Sequence, residues 1–300
     1  MRLLQLSDIH VWRYSYNPLH LFNKRAVGIA SLLAGRARKY RLERLDAVVD
    51  RACNLKPDHV LITGDLTTTA LKVEFDDARE ALSPLLNDPT RATIIPGNHD
   101  RYTAGSVRSR KFEATFGLYT GSDSFPWLRY IDHETAILGL DPTRSHISAK
   151  GILPREQLAT ARGMLAVTDH RPRRLIVACH YPVAAPPSYA VELNKKRMWN
   201  AGDVREWLAG LGPHLFCCGH VHAAWAFRPP LLPDQLSLNS GAPLLRDPTG
   251  LRPPGFLEIE MEGRAISVLH HAWHGEAWEV RPLFDEPTFF PAAVPAKTLI

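Results

Sequence analysis

Five short segments of this 300-residue sequence carry side chains that hold metal ions or move protons: Asp8-x-His10, Gly64-Asp65, Gly97-Asn98-His99-Asp100, His180 and Gly219-His220-x-His222. Taken singly, each is weak. A Gly-Asp pair is an ordinary turn, and a histidine after a strand is more often a packing residue. Together they offer imidazole nitrogens and carboxylate or amide oxygens, donors suited to divalent and trivalent ions such as Mn, Fe, Zn or Ni. A carboxylate has two oxygens and several lone pairs, so it can bridge two ions. Two ions about 3.5–4 Å apart can clamp an in-line displacement at phosphorus and generate hydroxide at neutral pH. The D-x-H and H-x-H spacings predict both side chains of a pair on one side of an extended backbone. Soft-ligand chemistry is not on offer. Cys53, Cys179, Cys217 and Cys218 form no C-x-x-C pair and read as small core residues of a reducing compartment.

The elements that must position these groups are legible as apolar runs. Leu3–Ser7, His59–Thr63 and Ala92–Ile95 read as buried strands, each ending at one of the polar segments. Helices are predicted between them, over Leu45–Asn54 and Val73–Leu86. The second half repeats the pattern. Trp127–Ile131 and Thr135–Leu140 read as an antiparallel pair and Pro154–Leu165 as a helix. Arg174–Cys179 is a strand ending at His180, Asp203–Leu211 a helix, and Leu215–Cys218 a strand ending at Gly219. Strands follow at Ala223–Phe227, Gln235–Leu238, Phe256–Met261 and Ala265–Ala272, the last two joined by a tight hairpin at Glu262-Gly263. Polar residues at successive strand ends mark an α/β sheet whose site lies at the carboxyl edge.

Composition bounds the alternatives. With 45% hydrophobic and 22% charged residues and a net charge of +5, the chain is neither disordered nor a disulfide scaffold. No apolar run approaches the roughly 20 residues of a spanning helix, and no h-region follows the first residues. A cytoplasmic location is the default expectation, with a peripheral position at an inner membrane face as its variant. Residues 13–44 hold eight basic side chains and one acid, leaving −2 over the rest of the chain. That concentration argues against a binder of nucleic-acid duplexes, whose basic residues spread over a face.

This segment reads as an early insertion, helical from about Pro18 and broken near Gly35. Its apolar stripe is Leu19, Phe22, Ala26, Ile29 and Leu33, with Lys24, Arg25, Arg36, Arg38 and Lys39 alongside. It could cover a sheet face, cap the site to gather a substrate's remote phosphate or acyl part, or dock on anionic lipid. Asn23, Lys24, Arg25, Arg101 and Tyr102 are the candidate substrate contacts. Residues 1–281 are expected to form one domain, and 282–300, with four prolines, an extended tail. The other nine histidines read as surface or packing residues and the seven tryptophans as core and strand-face residues; oligomeric state is left open.

The segments from Asp8 to His222, GNHD and GHxH above all, resemble the signature of the calcineurin-like metallophosphoesterases. The resemblance implies a four-layer α/β/β/α sandwich of two mixed sheets, here with the basic helical insertion. It implies two metal ions, Mn or Fe before Zn or Ni. Asp8, His10, Asp65 and His222 would hold the first. Asp65, Asn98, His180 and His220 would hold the second, with Asp65 bridging. His99 would stabilise the transition state or protonate the leaving oxygen, and Asp100 would orient His99. The implied activity is attack of a metal-bound hydroxide on a phosphodiester, by similarity to the cyclic-nucleotide phosphodiesterase branch on a small nucleotide-type or cyclic-nucleotide substrate. The alternative is a pyrophosphohydrolase acting on a lipid-linked, UDP-diacylglucosamine-like substrate at the membrane, although its commonest bacterial form has Arg where this chain has His99. A non-catalytic scaffold is a remoter alternative, since such relatives typically lose ligands that are all kept here.

Overall fold

The computed structural model describes residues 1–15, 17, 24–35, 38–146, 148–167 and 172–292. Two six-stranded mixed sheets face each other. Strands β1 (Arg2–Leu6), β2 (His59–Ile62) and β3 (Ala92–Ile94) run parallel in the first, and β10 (Gly255–Glu262), β11 (Ala265–His274) and β12 (Ala277–Glu286) extend it antiparallel in the order β12-β11-β10-β1-β2-β3. The second sheet has the order β4-β5-β6-β7-β9-β8. It comprises β4 (Trp127–Tyr130), β5 (Thr135–Leu140), β6 (Arg174–Cys179), β7 (His214–Cys218), β8 (Ala224–Phe227) and β9 (Gln235–Ser240).

The central strands are buried on both faces, as parallel strands must be when helices cover them. Alternation then divides their side chains between two cores. Leu3, Leu61, Ile176, Ala178, Leu215 and Cys217 meet between the sheets. Leu4, Leu6, Val60 and Ile62 face outward onto α2 (Leu45–Asn54), α3 (Lys72–Leu82) and α5 (Lys111–Phe116). Val177, Cys179, Phe216 and Cys218 face outward onto α6 (Arg155–Val167), α7 (Ala190–Lys196) and α8 (Ala201–Ala209). Three apolar layers thus separate four structural ones, which is the α/β/β/α sandwich. The four cysteines are free thiols, three of them fully buried in these layers.

Several details depart from the sequence reading. The short helices α4 (Ala104–Arg108), α5 and α7 had no clear periodic signal, being one to two turns long. β12 carries through Pro282 to Glu286, so the segment after 281 is not a tail from its start. Pro282 is tolerated because β12 is an edge strand whose register shifts at Val268/Leu269, where Pro282 meets Leu269. In α1 (Arg25–Leu33) the buried face is Arg25, Gly28 and Leu32, one residue out of phase with the expected stripe, and Leu33 is 70% exposed. Pro18, Leu19, Phe22 and Arg36 lie outside the described residues. Trp199 is exposed, under the Lys150 ammonium, rather than in the core.

Among the described residues, four of the remaining histidines, His59, His214, His270 and His271, are buried. Burial, with Arg129 and Arg91 nearby, pushes His59 down to about 3, and burial with His271 nearby pushes His270 down to about 4. Both rings are neutral in the fold, whereas an unfolded histidine titrates near about 6.5. Each therefore contributes stability that is complete above that pH and is lost as the pH falls towards the folded value. Going from about pH 7 to about pH 5 should cost roughly 2 kcal/mol per ring. In His59→Gln the pH-dependent loss should shrink by about one such increment. Denaturant unfolding at the two pH values checks this, and an unchanged pH dependence in the variant would contradict it.

Candidate metal centre

The polar segments sit just beyond the C-terminal ends of β1, β2, β3, β6 and β7, and the sheets bring them to one edge. One ligand atom each from Asp8, His10, Asp65 and His222 lies within 4.8 Å of all the others, as do those of Asp65, His180 and His220. Asp65 belongs to both groups. Its Oδ2 is 3.7 Å from His10 Nε2 and 3.4 Å from His180 Nε2. His222 Nε2 is 3.2 Å from Asp8 Oδ1 and 3.2 Å from His10 Nε2. Asn98 lines the same cavity as Asp65, His99, His220 and His222.

Asp8 and His10 fall in one donor group, whereas His220 and His222 fall in different ones, and neither pair sits on an extended backbone. Asp8, His10, Asp65, His220 and His222 all have left-handed φ, between 54° and 72°. Asp and His tolerate that region better than most residues, and such conformations persist only where surroundings impose them. Here the surroundings are backbone bonds: Asp8 N to Gly64 O, His10 N to Asp65 O, and Gly219 N to His180 O. Side chains add further ties. Asp8 accepts from His220 N, and Asp65 Oδ1 accepts from His99 N at 2.7 Å. Two glycines admit these approaches. A Cβ on Gly97 would lie 2.1 Å from Asp65 Oδ1, and one on Gly219 would lie 2.5 Å from Asp8 Oδ2.

These residues fit a pair of cations. His180 Nδ1 donates to Thr63 O at 2.8 Å, so in the neutral ring the lone pair on Nε2 faces the Asp65 carboxylate. Among the described residues, neither His180 Nε2 nor the buried Asn98 Oδ1 has a hydrogen-bond partner. Lone pairs facing one another in a buried site call for positive charge between them. The protein's own charges express the same demand. Burial opposes a charge on His180, yet the Asp65 and Asp8 carboxylates raise it to about 9. Burial works to raise Asp65, but His180, His99 and His10 hold it well below the carboxylate range. Burial and the neighbouring His180 push His220 well down.

His99 stands at the cavity wall. Its Nδ1 donates to Thr68 O at 2.6 Å, and its ring stacks on Tyr102 at 5.4 Å. It is Thr68, not Asp100, that orients this ring. Asp100 turns beneath the loop and accepts from the backbone N–H groups of Leu66, Thr67 and Gly97 and from the Thr67 hydroxyl. Burial and the Asp65 charge push its carboxyl up to about 7. Asp100 therefore ties together the two loops that carry Asp65 and His99.

The expected substrate contacts separate into two kinds. Arg25 is buried and donates to Thr69 O and Ala70 O, pinning α1 to the loop after β2. Arg101 is clamped between Glu113 at 2.6 Å and Asp141 at 3.1 Å. Both arginines are committed to the fold because buried guanidinium groups require partners. Tyr102 is buried between His99 and the Lys24 ammonium, which lies 4.2 Å from its ring centre. Lys24, held low by burial and half-exposed, remains beside the site. Asn23 lies outside the described residues.

Tyr40 was not singled out in the sequence, where nothing distinguishes it within a basic run. Its hydroxyl is 3.2 Å from His222 Nδ1 and its ring 4.6 Å from that of His10. Groups that bind the far nitrogen of a metal-ligating histidine fix its orientation. Tyr40→Phe should therefore weaken Mn binding by about tenfold with little loss of fold stability. Calorimetric titration of the metal-stripped variant checks this, and wild-type affinity would contradict it.

Residues 1–224 match the family described as calcineurin-like phosphoesterase. Among solved structures, a purple acid phosphatase from yellow lupin seeds superposes with a TM-score of 0.60 at 14% identity, covering 90% of this chain and 51% of that one. The chain thus spans about half that enzyme's length, and the likeness is one of fold. The phosphoesterase YfcE of E. coli gives a TM-score of 0.43 at 11% identity, covering 95% of this chain and 100% of that one. No curated protein sequence matches. On the family match over most of its length, the chain belongs to the calcineurin-like phosphoesterases.

Proposed function

We propose that this protein is a phosphodiesterase that uses two metal ions, held by Asp8, His10, Asp65 and His222 and by Asp65, Asn98, His180 and His220. The observation that carries the reading is the shared carboxylate: one Asp65 belonging to two donor groups, with His99 at the wall of the same cavity. When bound, the two cations would neutralise charge on the phosphoryl oxygens and activate water. His99 supplies what remains. With Nδ1 held by Thr68 O, its ring can carry a proton that Nε2 delivers to the leaving oxygen. Asp100 fixes the loop, and Tyr102 supports the flat face of the imidazole.

The site opens into a cavity of about 740 Å³ lined also by Tyr40, Lys39, Lys196 and Arg246. That space accommodates substituents on both sides of a phosphorus, which favours a diester, of nucleotide type, over a small monoester. Activity with added Mn on bis(p-nitrophenyl) phosphate, p-nitrophenyl phosphate and cyclic nucleotides tests the reading. Greater turnover of the monoester than of every diester would overturn it.

A lipid-linked substrate is the second reading. Val27 and Leu33 project 65% and 70% exposed from the helix that leads into the basic run. Pelleting of the protein with anionic vesicles, and turnover of a UDP-linked lipid above all soluble diesters, would favour it.

A further inference from the structure

At the outer rim of the cavity, Tyr40 and Leu245 form an antiparallel bridge, with Arg246 N donating to Lys39 O at 2.6 Å. This pairing sets Lys39 and Arg246 directly opposite each other. Like charges in such positions repel and destabilise the pair. Arg44 adds to the repulsion, being close enough for Arg246 to disfavour its charge. The nearby acids do not answer it. Asp247 is occupied by Thr249 N and Oγ1 and by Arg252 N. Glu192 is occupied by Lys196 and Arg252. Among the described residues neither Lys39 nor Arg246 has an ion-pair partner, and both are exposed where they line the cavity.

We propose that Lys39 and Arg246 form an anion subsite that takes a second phosphoryl group of the substrate, while the scissile phosphorus lies at the Asp65 clusters. This rests on the phosphodiesterase reading and narrows it to substrates with two phosphoryl groups. Two opposed cations at a shared cavity edge are a repulsive arrangement in isolation and an attractive one around a phosphate, whose oxygens accept from both ammonium and guanidinium. The neighbour Tyr40 contacts His222, so the same bridged segment reaches both the candidate metal ligands and the rim.

The test uses the Mn-loaded protein and three probes: adenosine 5′-monophosphate, adenosine 5′-diphosphate and adenosine 3′,5′-bisphosphate. The last two place a second phosphate at different reaches. Inhibition constants are measured against bis(p-nitrophenyl) phosphate hydrolysis for wild type and for Lys39→Ala with Arg246→Ala. At least one doubly phosphorylated probe should weaken by about tenfold in the double variant while the monophosphate stays within about twofold. Equal weakening of all three probes, or no weakening of any, would overturn the subsite. If wild type hydrolyses no diester with Mn, Fe, Zn or Ni, the phosphodiesterase reading fails instead. Calorimetric binding of the same probes then decides the subsite by the same criterion.

Discussion

Asp65→Ala should leave neither metal position occupied at full stoichiometry and should lower kcat/KM on bis(p-nitrophenyl) phosphate on the order of 10³-fold. The expectation follows from position. The Asp65 carboxylate faces His10 on one side and His180 on the other, so its removal takes an oxygen from both donor groups at once. It also removes the acceptor for His99 N, which helps to hold the 97–100 loop. Asp65→Asn separates these effects, because an amide oxygen can still accept from His99 N but brings no charge. Elemental analysis and steady-state kinetics read both variants. Two ions per chain with undiminished activity in Asp65→Ala would end the shared-carboxylate reading.

His99→Ala should keep the metal content, because the bond from residue 99 to Asp65 is made by its backbone N–H and survives truncation. Activity should fall in proportion to how much the leaving oxygen needs a proton. A nitrophenolate leaves as an anion, so the loss there should be about tenfold or less, whereas an alkoxide from a nucleotide diester needs protonation and should show about 10²- to 10⁴-fold. The comparison therefore carries its own control for misfolding, which would depress both substrates alike. Equal losses in a variant whose unfolding midpoint matches wild type would show that His99 acts on the phosphoryl group and not on the leaving oxygen, and loss of metal would make it a ligand.

Much of this candidate site is visible in the sequence because each candidate ligand follows a strand made of consecutive apolar residues, and parallel strands deliver their ends to one edge. The partners of the long cations are not visible in that way. Arg25 binds carbonyls at positions 69 and 70, and Arg101 binds Glu113 on the short helix α5 and Asp141, contacts between segments far apart in the chain that no local pattern describes. The phase of α1 is hidden for a related reason. Apolar residues occur on both of its faces, and the bonds of Arg25 to Thr69 O and Ala70 O choose which one is buried. Asp100 shows that adjacency in sequence is a poor guide to who touches whom in a tight loop, since its carboxylate serves Leu66, Thr67 and Gly97.

The left-handed backbone at Asp8, His10, Asp65, His220 and His222 restricts how this centre can vary. Aspartate and histidine are among the few side-chain-bearing residues at ease in that region, and they are also the ones that offer oxygen or nitrogen to a cation. Torsion and ligation thus select the same amino acids. A valine or isoleucine at any of the five would be penalised twice, by geometry and by chemistry. Drift at these positions therefore ends in abrupt failure rather than gradual decline.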